Sequence, residues 1–186
     1  MRRATIALAL VVTVVGAEAT GPQGKPTRPA APPAAKEAAE RYFRLNVEGA
    51  GLTTEGRREV AKLLVGSPPK ASGEVVILQD VALGETETTG PGTAVVVVWS
   101  SLVGFLDPAT ARFRSPAPGL LSKGDFSLKL VGEQWKVIDP RPFRFVGVPA
   151  AEQYVKDLVV TSKDPVVQRN AKRTLAALKK LAGRGV

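Results

Sequence analysis

The chain of 186 residues contains no cysteine and no histidine. Without cysteine it has no disulfide framework, no thiolate nucleophile, no cysteine-based metal site and no thiol for lipid attachment. Without histidine it lacks the commonest general base and the commonest ligand of catalytic zinc, and a Ser-His-Asp triad is excluded. Any catalysis must therefore depend on carboxylates, tyrosine, lysine or an oxygen-ligated ion. We expect no cofactor and no bound metal.

The first 19 residues have the organisation of a secretory signal peptide. Arg2 and Arg3 form a short positive leader, residues 4–16 are an uncharged apolar run, and Ala17-Glu18-Ala19 matches the small-residue pattern at which signal peptides are cleaved. The apolar run is shorter than the roughly 20 residues that a membrane-spanning helix needs. We therefore expect cleavage before Thr20, export to the periplasm or the extracellular space, and no transmembrane helix in the mature protein.

A proline- and alanine-rich stretch follows the leader and has no apolar periodicity. Residues 20–35 contain five prolines, a composition typical of a flexible, extended linker. The remaining length suits one folded domain. The expected organisation is a signal peptide at 1–19, a disordered linker at 20–35, an α+β domain at 36–148 and a C-terminal helical extension at 149–186.

Apolar spacing predicts helices at both ends of the folded part. Residues 35–47 and 53–65 each place apolar side chains on one stripe, and a threonine caps the second segment. Residues 150–160 form a third helix, and Asp164 followed by Pro165 begins a fourth. The fourth helix has an apolar stripe that predicts docking on the domain, formed by Val167, Ala171, Leu175, Leu178 and Leu181.

The central part of the chain has the composition of β-strands. Residues 74–83 and 93–105 are rich in β-branched side chains, and residues 84–92 are expected to connect them as a hairpin loop. Further strands are expected at 111–115, 126–130 and 135–139.

The order of these elements resembles a known superfamily. Two helices precede a run of antiparallel strands that ends in the hairpin Gly-Glu-Gln-Trp-Lys-Val-Ile, residues 132–138. In this, residues 35–140 resemble the nuclear-transport-factor-2-like superfamily, the fold of ketosteroid isomerase and scytalone dehydratase. The tail Asn-Ala-Lys-Arg-Thr-Leu-Ala-Ala-Leu-Lys, residues 170–179, is similar to that of secreted bacterial proteins of unknown function.

The resemblance implies a cone-shaped fold, in which a curved antiparallel sheet wraps around the N-terminal helices and leaves a cavity. Family enzymes place an acid or a base in that cavity, whereas other members bind proteins or small apolar ligands without catalysis. The paired His and Asp of dehydratase-like members cannot occur here, because the chain has no histidine. No position matches the isomerase motif closely enough to carry over a catalytic role.

Carboxylates that flank predicted strands are the candidates for a general base. These are Asp80, Glu85, Asp107, Asp125 and Asp139. Asp107 and Asp139 each precede a proline, a context typical of turns, and Asp80 is the least turn-like of the five. In an apolar cavity a carboxylate with a raised pKa can accept a proton from a substrate. Asp80 is therefore the candidate catalytic residue, and capping of a strand end is the alternative for each of these acids.

Five aromatic side chains are candidates to line an apolar pocket. The alternative is that they pack in the core, as most aromatics do in a domain of this size. The five are Tyr42, Phe43, Trp99, Phe105 and Trp135.

The last helix is strongly basic. Residues 163–186 carry seven cations and only one acid, Asp164, in a chain whose formal net charge is +9. Binding to an anionic membrane surface or an acidic polymer is one interpretation, and a solvated face of a docked helix is the other. Nucleic acid fits the charge, but export and the scarcity of aromatic residues argue against it. The candidate cations are Lys172, Arg173, Lys179 and Lys180.

Taken as a whole, the sequence predicts a non-catalytic binding or interaction domain in the cell envelope, with a small apolar ligand or an envelope protein as its partner. One alternative is a small isomerase or lyase that acts on an apolar substrate through a carboxylate. Another is an envelope-surface protein that binds anionic polymers or lipid through its basic helix. The sequence leaves a homodimer open.

Overall fold

The computed structural model describes residues 31–66, 73–116, 121–138 and 144–182. The predicted signal peptide and most of the predicted linker lie outside these residues. Across the described segments, no helix combines the length and the apolar character needed to cross a membrane.

Helices occupy both ends of the described chain, as the apolar spacing predicts. Helix α1 spans Pro33–Val47, and a single 3-10 turn at Ala50–Leu52 leads into α2, Thr54–Lys62. Near the C-terminus, α3 spans Val148–Thr161 and α4 spans Pro165–Ala182. Helix α1 starts inside the segment predicted as linker, because proline is well suited to the first turn of a helix, where no N–H is needed.

Two predicted helix caps are confirmed. The Thr53 hydroxyl accepts a hydrogen bond from the Gly56 N–H at 3.0 Å, which starts α2. The Asp164 carboxylate accepts one from the Val166 N–H at 2.7 Å, which starts α4. Each cap provides a partner for an N–H group that the helix itself cannot satisfy.

The strands form one mixed sheet, whereas the sequence predicted an antiparallel one. The strands are β1 Val75–Gly90, β2 Thr93–Asp107, β3 Arg112–Arg114, β4 Leu121–Val131, β5 Gln134–Ile138 and β6 Phe145–Gly147. Their order in the sheet is β5-β4-β2-β1-β6, with β3 paired to β2. The last strand, β6, runs parallel to β1 and places Phe145 opposite Val76. With three residues, β6 is too short to be revealed by alternation of apolar and polar residues.

The predicted hairpin loop at 84–92 is wrong. Strand β1 continues to Gly90, and the chain reverses over Pro91 and Gly92, with Gly92 at a φ of 65°. The polar residues of 84–90 suggested a loop. In the structure they pair with β2 as far as Thr93, and bulges rather than a turn interrupt this pairing. Strands β1 and β2 therefore make one long hairpin.

The hairpin of β1 and β2 is strongly curved, because its register shifts at four places. One shift sets Asp80 and Val81 of β1 opposite the single residue Ser100 of β2. Each such bulge bends its strand and increases the local twist. The result is a half-barrel sheet, which confirms the predicted curvature and α+β class.

One face of the sheet packs against α1. Its core includes Ala39, Tyr42 and Phe43 of α1 together with Val96 and Leu128 of the sheet. The ring of Phe43 packs edge-on against Phe126, with centroids 4.9 Å apart, and close to Phe145 at 5.7 Å. Edge-to-face aromatic pairs of this kind add about 0.5–1.5 kcal/mol beyond their buried area.

The opposite face of the long hairpin packs against α3 and α4. Because side chains alternate along a strand, Val75 and Ile77 face this second core, whereas Leu78 belongs to the first. Helix α3 contributes Ala151 and Val155, which are fully buried. The C-terminal helices therefore complete a core that the sheet shares with them.

Docking of α4 on the domain is confirmed. Of the predicted stripe, Ala171 and Leu178 are fully buried, and Val167, Leu175 and Leu181 are half-buried. Thr174, which the apolar pattern did not include, is also buried at 3% exposure. The contact surface is therefore centred on Ala171, Thr174 and Leu178, at the i, i+3, i+7 spacing of a packed helix.

The outer edge of β5 is partly covered by the residues that follow α2. The Val65 N–H donates to the Val137 carbonyl at 2.9 Å, and the Val137 N–H donates to the Leu63 carbonyl at 2.8 Å. Covering an edge in this way protects a sheet from pairing with other chains.

Candidate functional site

An apolar groove lies between α1, β1 and the junction of β6 with α3. Its volume is about 690 Å³, within the range of about 300–1,000 Å³ found for small-molecule sites. Helix α1 lines it with Phe43 and Val47, and the junction adds Val148 and Pro149. Strand β1 contributes the third wall, with the apolar side chains of Leu78, Val81 and Leu83.

Helix α1 presents four residues to the groove because of its periodicity. Glu40, Phe43, Arg44 and Val47 follow one another at i, i+3, i+4 and i+7, the spacing of a single helix face. Phe43 also belongs to the core and is only 3% exposed. The base of the groove is therefore held by the same packing that fixes α1 on the sheet.

A bulge shapes the β1 wall. In a regular strand neighbouring side chains alternate between faces, yet Leu78, Gln79, Asp80 and Val81 all line the groove. The bulge makes this possible, since Asp80 adopts a left-handed backbone with a φ of 53°. Aspartate tolerates this conformation better than most residues. Strained backbone of this kind often occurs at binding sites.

Close approach of two backbones forms the third corner. A β-carbon at Gly147 would lie 2.9 Å from both the Cγ1 and the carbonyl oxygen of Val47. Only glycine therefore lets the start of α3 come this near to the end of α1.

Polar groups gather on the rim. Glu40, Arg44 and Asp80 are exposed to solvent, and Gln79 is half-buried beside them. Glu40 also faces Lys36, with 3.8 Å between the ammonium and the carboxylate. The groove thus combines apolar walls with a charged rim that is exposed to solvent. Small-molecule sites hold and orient an apolar ligand with the same combination.

Of the five aromatic candidates, the structure brings only Phe43 to this groove. Tyr42 is buried beside it in the first core, and Trp135 is half-buried against the same core. Phe105 is half-buried under Arg114, whose guanidinium carbon lies 4.1 Å from the ring centroid. Trp99 is 46% exposed and covers Gly84. The candidates therefore do not form one pocket.

The candidate base Asp80 lies on the groove rim with an exposed side chain. Its exposed carboxylate is placed to contact a polar group of a molecule that enters the groove.

A second group of titratable residues lies away from the groove, and its contacts are structural. Arg144 is 6% exposed and donates to the Gly73 carbonyl. Burial, reinforced by nearby Arg57, lowers the pKa of the Arg144 guanidinium. Burial also raises the pKa of Tyr154, whose hydroxyl donates to the Pro108 carbonyl at 3.2 Å. These bonds tie α3 and β6 to the loops around them.

The four basic candidates of the last helix, Lys172, Arg173, Lys179 and Lys180, are all exposed on α4. They lie on another part of the molecule from the groove lining. Among the described residues, no group of three Asp or Glu side chains is placed to hold a metal ion.

Sequence reasoning missed most of the groove wall. The apolar residues Leu78, Val81 and Leu83 read as ordinary strand residues, and nothing in their pattern marks the bulge between them. The Gly147-Val148-Pro149 sequence was the available signal, because glycine and proline at a strand-to-helix junction indicate close packing.

The chain matches no protein-family model, no curated protein and no solved structure. Support for a function therefore comes from the groove itself.

Proposed function

We propose that this protein is an exported binding domain that holds a small, mostly apolar ligand in the groove between α1, β1 and the start of α3. The observation that carries the proposal is the groove's combination of apolar walls, a volume of about 690 Å³ and a charged rim. Apolar walls supply affinity through burial of ligand surface, and the few polar groups fix orientation.

The rim suggests the chemistry of the ligand. Arg44 offers a guanidinium, and Asp80 and Glu40 offer carboxylates, all exposed at the mouth. A ligand with an apolar body and a polar end fits this arrangement, with its body against Val47, Val81 and Leu83 and its polar end in the water-exposed mouth.

Binding without catalysis is the better-supported role for this groove. The carboxylate-dependent isomerase or lyase needs a desolvated base, and the acids here are exposed at the rim. The chain also has no histidine or cysteine to serve instead.

We extend the proposal to the fold. A curved sheet packed on an N-terminal helix, with an apolar groove beside that helix, is compatible with the nuclear-transport-factor-2-like superfamily. The parallel strand β6 was not part of the predicted pattern, whereas the pair α3 and α4 is the predicted C-terminal extension beyond it.

Export is the second part of the proposal and has its own test. N-terminal sequencing of the protein recovered from outside the cytosol should find Thr20, or a residue next to it, as the first residue. An intact Met1 in the membrane fraction would contradict export with cleavage.

The groove is tested with an uncharged apolar dye, N-phenyl-1-naphthylamine, whose fluorescence rises in apolar surroundings. The natural protein should bind it, and Val81→Trp, which fills the groove from the β1 wall, should abolish the signal. The matched control is Val131→Trp, because Val131 is an exposed valine of β4 outside the groove lining.

Native mass spectrometry of the purified protein gives an independent reading. Retained lipophilic molecules should be lost in Val81→Trp and kept in Val131→Trp. Equal dye binding and equal ligand retention in the two variants would overturn the assignment of the groove.

A further inference from the structure

The outer surface of α4 is basic and contains no acid. Between Pro165 and Ala182 the helix has no aspartate or glutamate. We define the basic face as its five exposed cations: Arg169, Lys172, Arg173, Lys179 and Lys180. Within the described part of the chain, no ion pair engages any of these five, since the pairs found there join other residues.

The basic face is a fixed surface rather than a set of scattered charges. At about 100° per residue, its cations occupy a sector of about 120°, opposite the buried Ala171, Thr174 and Leu178. At 1.5 Å per residue, Arg169 and Lys180 are separated by about 16 Å along the axis. Because the buried side holds α4 on the domain, all five cations point away from the core together.

Two exposed valines flank the turn that joins α3 to α4, which also contains the exposed Lys163 and Asp164. Val160, in the last turn of α3, is 81% exposed, and Val166, in the first turn of α4, is 50% exposed. Val166 precedes Arg173 by seven residues, or two helical turns, and so lies on the same side of the helix. The end of α3 and the start of α4 thus present exposed apolar side chains, Val160 and Val166, and the second of these adjoins the row of cations.

We infer that the basic face and these two valines, the valine corner, bind the surface of a lipid bilayer that contains anionic phospholipids. Cations near such a surface are attracted by its negative potential, and apolar side chains enter the boundary between headgroups and acyl chains. An acidic polymer would be attracted by the same cations but offers no apolar phase for Val160 and Val166. The valine corner is therefore what favours a bilayer over a soluble polyanion.

This interaction is independent of the ligand groove. The basic face lies on α4, and the groove is lined by α1, β1 and the first residues of α3. Binding at the bilayer would hold the domain next to a source of apolar molecules while leaving the groove residues unused.

The first experiment measures co-sedimentation of the mature protein with vesicles of phosphatidylcholine and phosphatidylglycerol. Each cation contributes about fivefold to partitioning onto such a surface. Reversing Lys172, Arg173, Lys179 and Lys180 to glutamate should therefore weaken binding at least about 100-fold. Binding should also fall steeply as salt rises from about 0.1 M to about 1 M, where the Debye length shortens from about 10 Å to about 3 Å.

A control variant with the same net charge shows whether vesicle binding depends on the basic face itself or on the overall positive charge of the protein. Arg41, Arg58, Lys123 and Lys129 are exposed cations on α1, α2 and β4, and their reversal to glutamate changes the total charge equally. This variant should keep more of the vesicle binding than the α4 variant. Equal losses in the two variants, or equal binding to pure phosphatidylcholine vesicles, would overturn the inference.

Substitutions in the valine corner test whether the partner is a lipid bilayer or an acidic polymer. Replacing both Val160 and Val166 by serine should weaken vesicle binding several-fold and leave binding to soluble polyphosphate unchanged. Because the chain has no cysteine, Val160→Cys also accepts a single environment-sensitive label, whose emission should shift to the blue on anionic vesicles. Unchanged vesicle binding in the serine variant and an unshifted label would assign the face to an acidic polymer and refute the bilayer.

Discussion

The hydroxyl of Thr174 in α4 donates a buried hydrogen bond of 2.7 Å to the backbone carbonyl of Ala111. Ala111 is fully buried and has a left-handed backbone with a φ of 54°, a conformation that costs an alanine free energy. The last helix thus secures the turn between β2 and β3, and Asn170 adds a bond of 3.0 Å to the neighbouring Thr110 carbonyl. One side chain links the last helix to a strained turn sixty-three residues earlier.

Thr174→Val should destabilise the protein. The change keeps the side-chain shape but leaves the Ala111 carbonyl without its partner, which costs about 1–3 kcal/mol of unfolding free energy. Denaturant unfolding followed by circular dichroism measures this. Thr161→Val is the matched control, because the exposed Thr161 hydroxyl bonds only within α3. It should change stability by no more than about 0.5 kcal/mol, and equal effects of the two substitutions would contradict the role of Thr174.

The same substitution at Thr86 should have the opposite sign. Thr86 is 7% exposed, and within the described residues its hydroxyl oxygen has no hydrogen-bond partner. Burial of an unpaired hydroxyl is unfavourable, and valine suits a strand. Thr86→Val should therefore raise the free energy of unfolding by about 1 kcal/mol. A loss of stability in the same denaturation assay would show that the hydroxyl has a partner in solution.

Leu178→Ala should be the most damaging of these changes. Leu178 is fully buried in the core shared by α3, α4 and the sheet. Truncating a buried leucine typically costs about 2–5 kcal/mol. Neighbouring Lys179 is exposed, so Lys179→Ala should shift stability by no more than about 0.5 kcal/mol. Thermal unfolding in parallel tests both, and comparable melting temperatures would mean that α4 is not docked in solution.

Stability should depend on Asp107 in a pH-dependent manner. The Thr110 hydroxyl, 2.7 Å from the carboxylate, lowers the pKa of Asp107 from its ordinary 3.8, and the Ala109 N–H acts in the same direction. A lowered pKa means that the folded state favours the charged form. Its contribution is present above pH 3.8 and is lost as the pH falls through the folded-state pKa.

Asp107→Asn should therefore lower the free energy of unfolding by about 1 kcal/mol near neutral pH, since the site is partly open to solvent. The difference from the natural protein should shrink as the pH falls below 3.8. Urea unfolding across this range is the measurement, with the exposed Asp125→Asn as control. A difference for Asp107→Asn that stays constant with pH would rule out the proposed bonding.

Local patterns predicted the helices well and the sheet only in part. The stripe from Val167 to Leu181 predicted the docked helix, and Asp164 predicted where it begins, because both signals depend on neighbouring residues. The parallel pairing of Val76 with Phe145 and the bulge at Asp80 depend on contacts between distant segments. Such contacts leave no periodic signal in the sequence.

The candidate site was likewise predicted only in part from the sequence. Phe43 and Trp99 were both chosen for their aromatic character, but only Phe43 lines the groove, whereas Trp99 lies on an exposed surface. Asp80 reached the groove rim because of a left-handed backbone that its residue type permits but does not require. Composition can suggest which residues bind a ligand, but strand geometry determines which of them meet.

The parallel pairing of β1 with β6 affects the order in which the protein can be completed during synthesis. Ile77 leaves the ribosome long before its partner Val146, so the β1 edge stays open while most of the domain already exists. An open edge with apolar side chains is a site for pairing with other chains. A nascent or truncated chain that ends before Phe145 would therefore be prone to aggregation even with both strands of the long hairpin present.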